Sequence, residues 1–295
     1  MLVSGPAAVY DRLRAATEPR PICIGNTRYE ITFDGTFAPF RRYERGSGTW
    51  ETAFPWGRTN PGARDAALYV DRDFAVGGGP PLGLDPFSLS DGALAITASA
   101  PPAELHVLDP PPAAISGVVT TRHAFFQRYG YFEARIRMPR GRGLWPAFWM
   151  LPTMGYPPEI DVVEVLGHAP ARIYQTTHGR AKGSGRQVVW NGTDASDGFH
   201  VYAVEWTSAA ITFFVDGHLT GTVPNVSDQP MYLLANLQVG APGSWPGAPD
   251  ASTPFPATML IDYVRAYRSA GTCATSSRGA PAAGGSAAAR TDVAK

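Results

Sequence analysis

The chain has 295 residues, and its 25 Lys and Arg balance 25 Asp and Glu, which leaves no basic surplus for neutralising nucleic-acid phosphates. Gly and Pro number 32 and 28, about one residue in five, so long helices have little room and short strands joined by turns are favoured. No apolar run approaches the ~20 residues of a membrane span, so no membrane partner is expected either.

Residues 1–20 hold no basic segment followed by an apolar core. An ordinary signal peptide is therefore not expected, and we read these residues as an N-terminal extension in which Ala7 to Thr17 can form a short helix. One domain is expected over residues 21–269, where neither a linker nor a repeat of fixed period intervenes; β-sandwiches reach ~200–250 residues as single units. Arg28 to Phe33 and Ala93 to Ala98 are strand-like, and between them residues 41–86 are rich in loops, with Gly-Gly-Gly-Pro-Pro at 77–81. Further on, Phe132, Ala134, Ile136 and Met138 alternate with Glu133, Arg135 and Arg137, the period of a half-buried strand. Val201 to Trp206 alternates likewise. Ile211 to Val215, then Asp216-Gly217, then His218 to Val223 reads as a β-hairpin whose Asp-Gly supplies the turn. Leu260 to Tyr267 is another alternating strand. Residues 270–295, nearly all Ala, Gly, Ser, Thr and Arg, cannot bury enough apolar surface to offset their ordering entropy and read as a disordered tail. The natural architecture is an all-β antiparallel sandwich, and a curved one offers a cleft on one face.

The most informative segment is Pro158-Glu-Ile-Asp-Val-Val-Glu-Val-Leu166. Glu159 and Asp161 share a strand face, whereas Glu164 lies at an odd offset that puts it on the other. Two readings are open. One is a solvated strand face; the other is a β-bulge at Val162-Val163 that returns Glu164 to the acidic face, with Ile160 and one valine in the core. The second gains support from Trp145 and Trp149 just upstream. Indole faces stack on pyranose rings while carboxylates bind hydroxyls and perform the chemistry. No Cys/His cluster has zinc spacing, no phosphate-cradling glycine loop follows a strand, and no local motif suggests a Ser-His-Asp order.

Gly130-Tyr-Phe-Glu-Ala-Arg135, Gly143-Leu-Trp-Pro-Ala-Phe-Trp149 and Glu159-Ile-Asp-Val-Val-Glu164 together resemble family 16 of the glycoside hydrolases. The similarity continues through Thr177-His-Gly179, Phe199 to Trp206, Leu234 to Gly240, Trp245-Pro-Gly247 and Ile261 to Tyr267, and so covers most of residues 30–268. The spacing of the acids is similar to the laminarinase-like branch that acts on β-1,3-glucans. Pro55-Trp-Gly-Arg-Thr59 and Asp85-Pro-Phe-Ser88 look most like bacterial endoglycanases that trim exopolysaccharides such as succinoglycan.

The resemblance implies a concanavalin A-like β-jelly-roll with its cleft on the concave face. It implies Glu159 as nucleophile, Glu164 as general acid/base and Asp161 as the helper between them, in a retaining endo-glycosidase whose partner is a β-glucan or exopolysaccharide. Trp145 and Trp149 match positions lining the subsites beside the cleaved bond, and His178 matches a cleft histidine. Trp245, in a Gly-Ser-Trp-Pro-Gly loop, is a further platform. Asn236 and Gln238, two apart on one strand face, are candidate hydroxyl binders; Glu205 and Trp206 face either cleft or core. No cofactor is expected for catalysis. A structural calcium on the convex side would use Asp262 and the Gly92 carbonyl, although Asp34-Gly-Thr-Phe37 stands where the family often has a Glu ligand. A monomer is expected. A polymer substrate places the protein outside the cytoplasm, which the missing signal peptide does not support. Cys23 and Cys273 flank the domain, and the resemblance brings the terminal strands together; they read either as one disulfide or as two free thiols. A non-catalytic carbohydrate-binding protein and a transglycosylase on the same fold are the alternatives.

Overall fold

A computed structural model of the protein describes residues 19–273; the expected N-terminal helix and the expected tail from residue 274 onward lie outside them, whereas residues 270–272, expected to begin that tail, instead continue the last strand to Thr272. In chain order the strands are β1 (Ile22–Ile24), β2 (Thr27–Thr36), β3 (Ala67–Tyr69), β4 (Phe87–Ser90), β5 (Ala93–Ala98), β6 (Ala114–Ser116), β7 (Val118–Thr120), β8 (Gly130–Arg137) and β9 (Leu144–Pro152). They continue as β10 (Glu159–Val165), β11 (Arg172–His178), β12 (Arg186–Asn191), β13 (His200–Trp206), β14 (Ala210–Val215), β15 (His218–Pro224), β16 (Met231–Val239) and β17 (Ala257–Thr272).

One sheet runs β1-β2-β17-β8-β13-β14-β15, with β5 pairing the first half of β17 and β4 pairing β5; the other runs β12-β11-β10-β9-β16-β7. Every pair in both is antiparallel, whereas the small β3–β6 pair is parallel. Alternation explains how the layers close. Phe132, Ala134 and Ile136 of β8 and Tyr202, Val204 and Trp206 of β13 are buried in the central core with Phe148, Met150, Ile160 and Val165 of the facing sheet. The strand segments expected from alternation all form, and Asp216-Gly217 turns the β14–β15 hairpin with φ of 50° and 76°, the left-handed pair such a turn requires. Among the described residues no helix is long and apolar enough to cross a membrane.

β9 departs from the usual logic, because Pro146 lies within a central strand. It stands beyond the last β9–β10 pair, Ala147 with Glu164, so its missing N–H costs no bond to β10 there. Cys23 on β1 and Cys273 just past β17 form a disulfide with Cα atoms 6.1 Å apart. The Cys273 N–H also donates to the Asn26 carbonyl, extending the β2–β17 ladder that brings the two ends of the domain together.

The calcium expectation does not fit these residues. Arg135 donates to Asp262 at 2.7 Å, and Arg265 donates to Asp34 at 2.8 Å, so a guanidinium already neutralises each carboxylate. Gly92 in the β4–β5 turn then has only a carbonyl to offer, too little for an ion that takes several charged oxygens. Glu205 and Trp206 also stay away from the cleft. Trp206 is fully buried in the core, and Glu205, on the other face of the nine-stranded sheet, accepts a hydrogen bond from Tyr29 at 2.7 Å.

Candidate active site

The site begins with the register of β10. Against β11, Glu159, Ile160 and Asp161 pair with His178, Thr177 and Thr176, but Glu164 pairs with Tyr174, so three steps on β10 match two on β11. Against β9, Asp161 pairs with Trp149 and Val163 with Phe148. The extra residue is a bulge at Val162-Val163, and it turns Glu164 to the face that carries Glu159 and Asp161. Both valines, rather than one, are buried in the core. The bulge thus converts an odd offset into a row of three acids.

These acids form the floor of a cleft of about 730 Å³ across the six-stranded sheet. Glu159 is half-buried, while Asp161 and Glu164 keep only 3% and 9% of their surface exposed. Trp145 Nε1 donates to Glu164 Oε1 at 3.1 Å and Thr176 Oγ1 donates to Oε2 at 3.3 Å. His178 Nε2 lies 3.1 Å from Asp161 Oδ2. Burial, then repulsion from Asp161, raises Glu159 well above its usual value, with His178 and the Tyr156 hydroxyl opposing. Burial, then the charge on Glu164, raises Asp161. Burial, then Glu159, pushes Glu164 up to about 7, although Trp145 and Thr176 favour its ionised form. Three carboxyl groups this close cannot all ionise in a dry site, so the cluster retains a proton near neutrality and can donate it. Among the described residues Glu159, Asp161 and His178 are also the one group of three ligating side chains close enough to share a metal ion.

Aromatic rings line the rest of the cleft. Trp245, 42% exposed, meets Trp145 edge-on at 5.2 Å and Tyr174 at 4.6 Å. Trp149 lies across the strand pair from Asp161. Two of these aromatic lining residues, Trp56 and Tyr156, are not among the sequence candidates. Trp56, half-exposed, stacks on Phe54 at 4.9 Å, and its indole N–H is fixed by the Thr59 carbonyl. Tyr156 stands exposed at the mouth with its hydroxyl on Glu159. Each offered a signal: Trp56 is flanked by Pro and Gly, as Trp245 nearly is, and Tyr156 precedes the acid strand by three residues.

The pair Asn236 and Gln238 divides. Gln238 lines the cleft, its Oε1 taking a hydrogen bond from Asn60 at 3.3 Å. Asn236 is fully buried, accepts from Trp149 Nε1 at 2.7 Å and donates to the Tyr69 hydroxyl at 3.1 Å, which leaves it unable to serve as a hydroxyl binder.

The sequence profile described as Glycosyl hydrolases family 16 matches residues 89–265. The chain is 36% identical over 251 residues to the endo-1,3-1,4-beta-glycanase ExsH of Rhizobium meliloti (strain 1021), covering 80% of this chain and 51% of that protein. It spans about half the length of the curated relatives it matches. Among solved structures, the endo-beta-1,3-glucanase of Pyrococcus furiosus superposes with a TM-score of 0.70 at 29% identity, covering 86% of this chain and 100% of that one. The catalytic domain of a laminarinase from Thermotoga petrophila RKU-1 gives 0.69 at 27% identity, covering 82% and 99%.

Proposed function

The chain belongs to family 16 of the glycosyl hydrolases, and on that footing we propose that it hydrolyses internal β-1,3 or mixed β-1,3/1,4 glucosidic bonds with retention of configuration. The observation that carries this reading is the β10 bulge, which sets Glu159, Asp161 and Glu164 in one row on an indole-lined cleft.

In the mechanism we assign, Glu159 attacks the anomeric carbon while Glu164 protonates the departing glycosidic oxygen. A glycosyl-enzyme forms through Glu159. Glu164, now ionised, takes a proton from water, and that water releases the sugar with a second inversion, so retention results. Asp161 shares a hydrogen bond with Glu159; when Glu159 is ionised for attack, Asp161 is the member that holds the shared proton and donates it, with His178 beside its carboxyl. Trp145 has two tasks: it faces the sugar, and its N–H stabilises the ionised Glu164. The reaction asks for two carboxyl groups and a water, and no cofactor.

Purified protein should release reducing ends from laminarin or lichenan, with an early fall in viscosity that marks internal cleavage. Binding of laminarin without any turnover would favour a carbohydrate-binding role instead, and products longer than the substrate would favour transglycosylation.

The pH profile follows from the same cluster. Glu164 must be protonated at the start, so kcat/KM should fall as pH rises through about 7. Glu159 must be ionised, and its raised pKa brings the acidic limb above the ordinary carboxylate range. Replacing Trp145 with Phe removes a donor that favours ionised Glu164, so the alkaline limb should move to higher pH. A limb that stays put in this variant would disconnect the indole from the acid.

A further inference from the structure

A hydrogen-bonded chain runs from a carboxylate outside the cleft to the indole in its floor. Asp65, in the loop before β3, accepts the backbone N–H groups of Ala67 at 2.9 Å and Val239 at 3.2 Å, both on Oδ1. Its Oδ2 accepts the Tyr69 hydroxyl. Tyr69 in turn accepts from Asn236 Nδ2 at 3.1 Å, and Asn236 Oδ1 accepts from Trp149 Nε1 at 2.7 Å. Tyr69 and Asn236 are fully buried, so neither has water as a substitute partner.

The two ends fix the direction of every bond. A carboxylate only accepts and an indole N–H only donates, so the single hydroxyl proton of Tyr69 must point to Asp65. The Asn236 amide must then present nitrogen to Tyr69 and oxygen to Trp149. Flipping that amide would set its NH₂ against the indole N–H.

We infer that Asp65 is a positioning residue for substrate, holding Trp149 through Tyr69 and Asn236 at the edge of the acid row. Trp149 is the residue paired with Asp161 across β9 and β10, so its tilt sets how a sugar ring lies over the acids. The substrate part of this inference rests on the function proposed above; the chain itself does not.

Asp65→Asn tests it sharply. Both backbone donors hold Oδ1, so the new amide keeps its oxygen there and turns NH₂ toward Tyr69. The Tyr69 proton then loses its acceptor, unless Asn236 flips and sets two donors face to face at Trp149. Either outcome strains the chain, and a buried donor without a partner is costly.

The experiment follows the Trp149 indole N–H by ¹⁵N NMR, with hydrogen exchange, alongside kinetics on laminarin. In Asp65→Asn we expect that resonance to shift, its exchange to quicken, and KM to rise about tenfold with kcat changed far less. In a Tyr69→Phe background the link is already cut, so adding Asp65→Asn should leave Trp149 unmoved. This second comparison also serves if Asp65→Asn alone does not fold. The inference is overturned if folded Asp65→Asn loses thermal stability but keeps the wild-type indole signal and KM. An Asp65→Asn effect on Trp149 that persists without the Tyr69 hydroxyl would overturn it equally. If wild type turns over no β-glucan, the functional proposal fails while the indole measurement still tests the chain.

Discussion

Glu159→Gln and Glu164→Gln should each fold and lose at least about 10³-fold in turnover of the best β-glucan. General acid–base assistance contributes roughly 10²–10⁴-fold, and removing a nucleophile costs more because no covalent intermediate can form. The two losses should differ in kind. Glu164→Gln should retain turnover of substrates whose leaving group needs no proton, such as aryl glycosides with acidic phenols, while Glu159→Gln should lose both classes. Near wild-type activity in either folded variant would remove it from the assigned role.

The same substitution carries a stability signature. Glu164 has a folded-state pKa of about 7 against an ordinary 4.5, so the folded protein holds that proton more tightly than the unfolded chain does. Below about pH 4.5 both states are protonated and the burial cost is absent; above about 7 the cost is complete, roughly 3 kcal/mol. Glutamine removes it. Calorimetry should therefore find Glu164→Gln about 6–12 °C more stable than wild type at pH 8 and nearly equal at pH 4. Equal stability at both values would mean the carboxyl is not held protonated by its surroundings.

Removing the disulfide should have the largest effect on the fold itself. Cys23 and Cys273 are 250 positions apart, and closing a loop of that length restricts the unfolded chain by about 5 kcal/mol in the chain-entropy model. The Cys23→Ser/Cys273→Ser pair should lower Tm by about 10 °C or more, since each kcal/mol moves a domain of this size by ~2–4 °C. Hydrolysis at 25 °C should persist, because the bond ties β1 to the end of β17 in the nine-stranded sheet while the acids lie on the other. A shift of under about 2 °C would show that the β2–β17 ladder holds the ends together unaided.

What the sequence revealed depended on how local each cause is. Alternation within β8, β13 and β17 is written in neighbouring residues, so those strands were legible. The bulge was legible through arithmetic, since an odd offset between Glu159 and Glu164 permits one face only if a residue is added. Asn236 was misread because its two partners, Tyr69 and Trp149, lie 167 and 87 positions away, and spacing on one strand cannot show which face is sealed. Asp262 suffered similarly. Its counter-ion, Arg135, arrives on β8 and takes the carboxylate that calcium would need. Trp56 needed the stack on Phe54 and the bound indole N–H before its platform could be recognised, although its Pro-Trp-Gly setting already argued against the core. Proline inside β9 concealed a central strand that only its neighbours justify.

The central claim is that Glu159 becomes covalently bonded to the sugar. Incubation with an activated 2-deoxy-2-fluoro β-1,3-linked glucosyl disaccharide slows release of the intermediate, so intact mass should rise by one disaccharyl unit. Peptide mapping should then place that unit on Glu159, and Glu159→Gln should take up none. A label on Glu164 or elsewhere, or no label together with α-configured initial products from laminarin by NMR, would contradict the account.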